Sequence, residues 1–185
     1  MIDVNELRKG VTFELEGKIF KVLEYSHHKP GRGKATIRVD VRDLRSGDRL
    51  KKKFNSGDSV QDIRLMYRNA KFLYTDGEQY HFMDTETYEQ PALNAKVLGD
   101  ITQYLMAEME VKLTFFGNEP LDIDLPTTVD MKIVRADPSV RGNTATSVTK
   151  RVTTETELEV DVPNFVENGD TIRVDTRTGE YVTRV

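Results

Sequence analysis

The 185-residue sequence contains no cysteine and no tryptophan, and only three histidines. Without thiols it has no disulfide framework and no thiolate metal centre, and a reducing compartment fits that usage. No stretch approaches the roughly 18 consecutive apolar residues of a membrane-spanning helix. Residues 1–7 also lack the basic-then-apolar run of a secretory signal. A soluble, cytoplasmic chain with no membrane partner is the expectation. The histidines hold out little for metal chemistry. His27 and His28 are neighbours on a strand-like run and so point to opposite faces, and His81 stands alone. No nucleophile elbow, phosphate loop or dinucleotide fingerprint is present.

Two further groupings need weighing. Asp122 and Asp124 alternate with Leu121, Ile123 and Leu125, so both carboxylates share one strand face. Such a pair could do acid–base work, but a solvated outer face is the simpler expectation. Tyr74, Tyr80, Phe82 and Tyr88 could stack bases on a barrel face, although at strand spacing core packing is favoured. No catalytic residue, metal site or cofactor is therefore assigned, and enzyme activity is not expected.

What the chain does have is charge, unevenly spread. Charged residues make up 31% and hydrophobic ones 37%, with a net charge of −4. Residues 1–64 carry 15 Lys and Arg against 10 Asp and Glu, a net of +5. Residues 65–128 have a net of −7 and residues 129–185 a net of −2. A basic end on an acidic remainder can orient a protein on a polyanion. The mean hydropathy of −0.54 suits several small units with much surface rather than one deep core.

Almost every segment reads as strand. Residues 11–15, 19–25, 35–41, 49–54, 71–75, 79–84, 110–116, 119–125, 129–135, 157–162 and 171–175 are short and rich in β-branched or aromatic residues. Turn signals such as Glu16-Gly17, Ser46-Gly47-Asp48, Asp76-Gly77 and Asn168-Gly169-Asp170 separate them. Helical periodicity is confined to residues 97–109, interrupted by Gly99, and to a possible turn at 59–62. Connectors at 64–69 and at Leu125-Pro126-Thr127-Thr128 divide the chain into units 1–64, 65–127 and 128–185, each about the size of a small β-barrel.

Between the runs 18–25 and 35–41 lies His28-Lys29-Pro30-Gly31-Arg32-Gly33-Lys34. A Pro-Gly pair followed by a second Gly forces a reversal, because glycine reaches positive φ at little steric cost. The expected result is a hairpin tip that presents Arg32, flanked by Lys29 and Lys34, with no neighbouring side chain to crowd it. That shape suits delivery of a cation into a narrow anionic space, though many cationic hairpin tips only aid solubility.

Several ordered stretches resemble bacterial elongation factor P. They are the Pro30-Gly31-Arg32-Gly33 tip, Phe54-Asn55-Ser56-Gly57-Asp58, Tyr80-His81-Phe82-Met83-Asp84 with Thr87-Tyr88-Glu89-Gln90, Leu125-Pro126-Thr127-Thr128-Val129, and the C-terminal run from Gly169-Asp170 to Val174-Asp175-Thr176-Arg177-Thr178-Gly179-Glu180-Tyr181. The resemblance implies an all-β molecule of three small barrels, an SH3-like, KOW-like N-terminal domain followed by two OB-fold domains, in an L shape that mimics tRNA. It implies a monomeric factor that binds the 70S ribosome between the peptidyl-tRNA and exit sites and relieves stalls at consecutive prolines. Arg32 aligns with the family's tip residue, which reaches toward the peptidyl-tRNA acceptor end and in some members is modified, which brings in a modifying enzyme as a partner. Lys29 and Lys34 match neighbouring loop positions. Tyr181 and Arg184 match positions that approach the small subunit and tRNA. Gly142, Asn143 and Thr144 align with a Gly-Asp-Thr loop near the exit-site codon, with Asn143 in place of Asp. The rival readings are a paralogue with a different stall spectrum and a generic single-stranded nucleic-acid-binding OB protein, the latter disfavoured by the net of −7 in the second unit.

Overall fold

The computed structural model describes residues 1–31, 33, 35–137 and 149–185. Three antiparallel sheets follow one another along the chain, two of them curled into barrels. The first contains β1 (Ile2–Asp3), β2 (Thr12–Leu15), β3 (Lys18–His28), β4 (Thr36–Asp43), β5 (Arg49–Asn55) and β6 (Ser59–Asp62), in the order β1-β6-β2-β3-β4-β5. The second contains β7 (Met66–Thr75), β8 (Gln79–Asp84), β9 (Ala92–Asn94), β10 (Glu110–Phe116) and β11 (Glu119–Asp124), ordered β11-β10-β7-β8-β9. The third contains β12 (Thr128–Ala136), β13 (Thr149–Thr154), β14 (Glu159–Pro163), β15 (Thr171–Asp175) and β16 (Tyr181–Arg184), ordered β14-β13-β12-β15-β16. Among the described residues no helix is long and apolar enough to cross a membrane.

Each sheet closes over its own core, which is what alternating strands in short units produce. Phe13, Phe20, Val22, Ile37, Val39 and Val41 fill the first, and Phe72, Phe82, Leu113 and Ile123 anchor the second. Met131, Val160, Val162, Ile172 and Val174 fill the third. The aromatic group of the second unit divides accordingly. Phe82 is fully buried and Tyr80 packs against the same cluster, whereas Tyr74 and Tyr88 are exposed.

Four expectations give way to the structure. Residues 59–62 form β6 rather than a helical turn, because Ser59 and Val60 pair with Asp3 and Ile2. The helical stretch starts earlier and stops sooner than 97–109. Asn94 caps α1 (Ala95–Leu98), with its side chain accepting from the Lys96 amide, and a 3₁₀ segment, Gly99–Tyr104, follows. The break falls at Gly99, whose φ of 60° and ψ of −137° suit only glycine. The connector foreseen at 64–69 is shorter, since β7 is already paired to β10 at Met66. Finally, Asp122 is not on a solvated face. Its side chain is 2% exposed, while that of Asp124 is 51% exposed.

The reason lies in the seam between the first two sheets. Lys21 Nζ stands 2.8 Å and Arg42 Nη2 3.0 Å from the same oxygen of Asp122. Burial works against the Lys21 ammonium, yet the charge of Asp122 and the hydrogen bond to it outweigh burial and raise the Lys21 pKa. Beside them Ile19, Leu44 and Leu121 form a small apolar cluster. Strand β3 thus buries both faces at Ile19 and Phe20, one toward the second unit and one toward its own core. Outside the seam's centre, Arg45 meets Glu119 at 3.0 Å and Lys96 meets Asp48 at 2.7 Å.

The turn that carries Arg45 is tightly held. The buried carboxylate of Asp43 accepts from the amides of Arg45 and Ser46, and the Gly47 amide returns to the Asp43 carbonyl. Gly47, at φ +77°, then passes so close to α1 that an added Cβ would sit 2.4 Å from the Lys96 carbonyl oxygen. Gly57 also has a positive φ, +95°, but open space around it. Gly47→Ala should therefore lose about 2 kcal/mol more than Gly57→Ala in denaturant unfolding. Equal losses would contradict the close approach. At the β7–β8 turn, the Asp76 carboxylate accepts from the amides of Gln79 and Glu78 and lies 3.0 Å from His81 Nε2. These contacts hold its pKa down to about 2, with the Gln79 amide the largest cause. Its contribution to stability is complete above the ordinary carboxylate pKa of about 4 and is lost as pH falls toward 2. A side-chain carboxyl NMR titration with its midpoint near 2 is expected, and one near 4 would refute the cap.

Candidate nucleic-acid interface

Strands β3 and β4 form the longest hairpin of the first unit, paired from Phe20↔Asp43 to His28↔Thr36. Up to Val22 the strand alternates normally. A register shift between Val22 and Glu24 then inserts one residue. The bulge changes the phase, so Tyr25 packs inward against the core cluster while Glu24 and Ser26 face out. Simple alternation would have turned Glu24 into the core instead. The Arg8 guanidinium covers the Tyr25 ring at 4.4 Å. Beyond Tyr25, Ser26, His27 and His28 are all exposed on β3, while across the ladder Ile37, the partner of His27, still belongs to the core.

The outer face of the same sheet gathers positive charge. Cross-strand register sets Arg38 opposite Lys53, Asp40 opposite Lys51, and Arg42 opposite Arg49. The Lys51-Lys52-Lys53 run is split by the pleat: Lys51 and Lys53 face out, whereas Lys52 lies inward with Nζ 5.3 Å from the Phe20 ring centre. Cations nearest the seam are paired, Lys21 and Arg42 with Asp122, and Arg49 with Asp100. Among the described residues, Arg38, Lys51 and Lys53 form no ion pair. Two like charges set opposite each other, as in Arg38 and Lys53, repel, and that arrangement suits a surface kept for a polyanion. Tyr25, Ser26, Arg38, Asp40, Lys51 and Lys53 border a shallow open groove along this face.

Of the residues chosen from sequence, Lys29, Gly31 and Gly33 lie exposed in the connector between β3 and β4, and Pro30 is half-buried there. Arg32 and Lys34 lie outside the described residues, as do Gly142, Asn143 and Thr144. Tyr181 and Arg184 belong to β16 of the third sheet, so the tip and this C-terminal pair sit on different units. Tyr181 packs against the third core. Arg184 stands 3.6 Å from Asp170 and covers the exposed Phe165 ring at 5.4 Å. Among the described residues no cluster of three His, Cys, Asp or Glu could hold a metal ion.

Sequence reasoning passed over Arg38, Lys51 and Lys53 individually, counting them only in the +5. The signal was the alternation of residues 36–41 beside a lysine run, which fixes which cations share a face once the two segments are paired. If these residues meet phosphate, the Arg38→Ala/Lys53→Ala variant should reduce the salt slope for binding a short RNA hairpin by about 2. An unchanged slope would remove this face from the interface.

Residues 3–60 match the family described as the elongation factor P KOW-like domain, residues 65–123 the elongation factor P OB domain, and residues 129–184 the elongation factor P C-terminal domain. The chain is 42% identical over 185 residues to the elongation factor P of Desulfotalea psychrophila, covering all of this chain and 99% of that one. It is 44% identical over 184 residues to the elongation factor P of Thermotoga maritima, covering all of both chains. Among solved structures, the translation initiation factor 5A from Methanococcus jannaschii is 24% identical, covers 67% of this chain and 93% of that one, and has a TM-score of 0.46.

Proposed function

The chain belongs to the elongation factor P family and is a translation factor that acts on the ribosome, and from that premise we propose that it enters beside a stalled peptidyl-tRNA and steadies its acceptor end. The observation that carries this reading is the β3–β4 hairpin, whose β3 arm is exposed from Ser26 to His28 and beside whose outer face Arg38, Lys51 and Lys53 form no ion pair among the described residues. In this reading residues 1–64 form the tRNA-facing domain, 65–127 the OB-fold domain and 128–185 the C-terminal OB-fold domain. Arg38, Lys51 and Lys53 meet phosphates, while Lys29, Arg32 and Lys34 reach the acceptor end. Tyr181 and Arg184 contact ribosome or tRNA from the third unit, and Gly142, Asn143 and Thr144 approach the exit-site codon.

The work asked of the factor is positioning. Proline's ring fixes φ and leaves a hindered nucleophile, so a peptidyl-tRNA at consecutive prolines spends little time in reactive geometry. A cation held beside the acceptor end narrows that ensemble, and the ribosome carries out the bond formation. The factor then needs no catalytic group of its own. It acts as a monomer in the cytoplasm, and Arg32, at the tip, is the residue on which a modifying enzyme would act. A generic single-stranded nucleic-acid binder fits less well, because its OB unit would be basic, whereas residues 65–128 have a net charge of −7.

Translation in vitro of a reporter with three consecutive prolines tests the reading. Adding the protein should raise full-length product, and Arg32→Ala should slow stall relief about tenfold, equivalent to about 1.4 kcal/mol in the barrier. No rise in product, with Arg32→Ala indistinguishable from the parent chain, would overturn it. Intact mass of the protein from its native host reads modification separately, since a mass equal to that of the bare sequence excludes it.

A further inference from the structure

The most buried carboxylate of the seam between the first two units is that of Asp122. Asp122 lies on β11 between Leu121 and Ile123, both buried, and its own side chain is almost fully enclosed. A carboxylate at that depth is costly unless cations meet it, and both cations come from the other unit. Lys21 on β3 and Arg42 on β4 are direct cross-strand partners, so without Asp122 their like charges would face each other, with only the half-exposed Asp124, 3.6 Å from Lys21 Nζ, close by. Each side of the seam therefore leaves an uncompensated charge when the other withdraws.

Arg42 does more than neutralise. While Nη2 meets Asp122, Nη1 reaches the Leu98 carbonyl oxygen at 3.4 Å, at the end of α1. One guanidinium thus touches two elements of the second unit, which restricts rotation as well as separation. The apolar contact alongside has Ile19, Leu44 and Leu121 at its centre with Ile63, Leu65 and Phe116 packed around them, and apolar packing is non-directional. Arg45–Glu119 and Lys96–Asp48 are largely solvated, where ion pairs contribute little. The directional part of the seam is concentrated in three side chains.

We propose that Asp122, Lys21 and Arg42 are positioning residues, which fix the angle between the first two units and so aim the hairpin that ends at residues 29–35. The proposal rests on the reading that this hairpin acts at the peptidyl-tRNA, and its consequence for activity is specific. Disrupting the seam leaves the hairpin and its cations intact but lets them point over a range of directions. The maximal rate of stall relief then falls, while the concentration of factor needed for half-maximal effect changes little.

The absence of native cysteine allows two labels to be placed without ambiguity. Nitroxides at Gln61→Cys and Glu86→Cys, exposed positions on the first and second units, report their separation by pulsed electron paramagnetic resonance. The parent chain should give one narrow distance distribution. Asp122→Asn and Arg42→Met should each broaden it, and the double variant should broaden it no further, because both act through one contact. On the three-proline reporter at saturating factor, each single variant should lower the maximal rate about five- to tenfold with less than a twofold change in half-saturating concentration. Glu119→Gln, at the solvated edge, should leave both measurements unchanged. If Asp122→Asn fails to fold, Lys21→Gln removes one of the two cations from a more accessible site and should produce the same changes to a smaller degree. A distribution that stays narrow in these variants, or one that broadens while the maximal rate holds, overturns the proposal. The outcome that refutes the functional reading is different: parent and Arg32→Ala chains that both leave the stall unrelieved, whatever the distances.

Discussion

A carboxylate buried where two small units meet must be answered from across the joint, and the first two-thirds of this molecule are arranged around that requirement. Asp122 cannot be left dry and alone, so β3 and β4 must bring Lys21 and Arg42 to it. Their arrival fixes which face of the first sheet looks toward the second unit. It also decides where the turn at 43–48 can run, and Gly47 is the residue that lets it pass against the backbone of α1. From the same placement it follows which cations are left over for another partner.

That division changes the meaning of the charge imbalance. A basic first unit followed by an acidic second one suggested a polyanion-binding end with a non-adhesive remainder. Part of the imbalance is instead satisfied internally, because Lys21, Arg42, Arg45 and Arg49 all meet carboxylates of the second unit. Farther along the same face, Arg38, Lys51 and Lys53 form no ion pair among the described residues. Net charge by segment could reveal the asymmetry, but not its division, since pairing depends on a three-dimensional joint that no local pattern encodes.

The strands themselves were largely legible, and for a physical reason. Period-two alternation survives in β4, β12 and β15 because each lays one face on a core. Reading failed where the pattern was too short or broken by tertiary demands. Two residues of β1 and three of β9 carry no periodicity, and β6 was hidden because Ser59 and Val60 become strand only by pairing with the N-terminus. In β13, Thr149-Lys150-Arg151 offers little apolar signal. Asp122 misled most, because alternation assigns a residue to a face and is silent on what covers that face. The end of β3 at His28 was legible from the Pro-Gly pair that follows, yet the cations on the neighbouring strands emerged only once β4 and β5 were in register.

The long hairpin also acts as a lever. Arg42 grips the second unit near one end of β4, and the last ladder pair, at Thr36, lies six residues away. At about 3.3 Å of rise per residue, that arm is about 20 Å long. A rotation of about 5° at the joint would carry the far end through about 2 Å, and a misplacement of about 1 Å can cost a reaction on the order of a hundredfold. Reach and accuracy therefore trade against each other in this molecule: each residue added to the hairpin would extend its access to a recessed site and tighten the angular tolerance demanded of three side chains at its base.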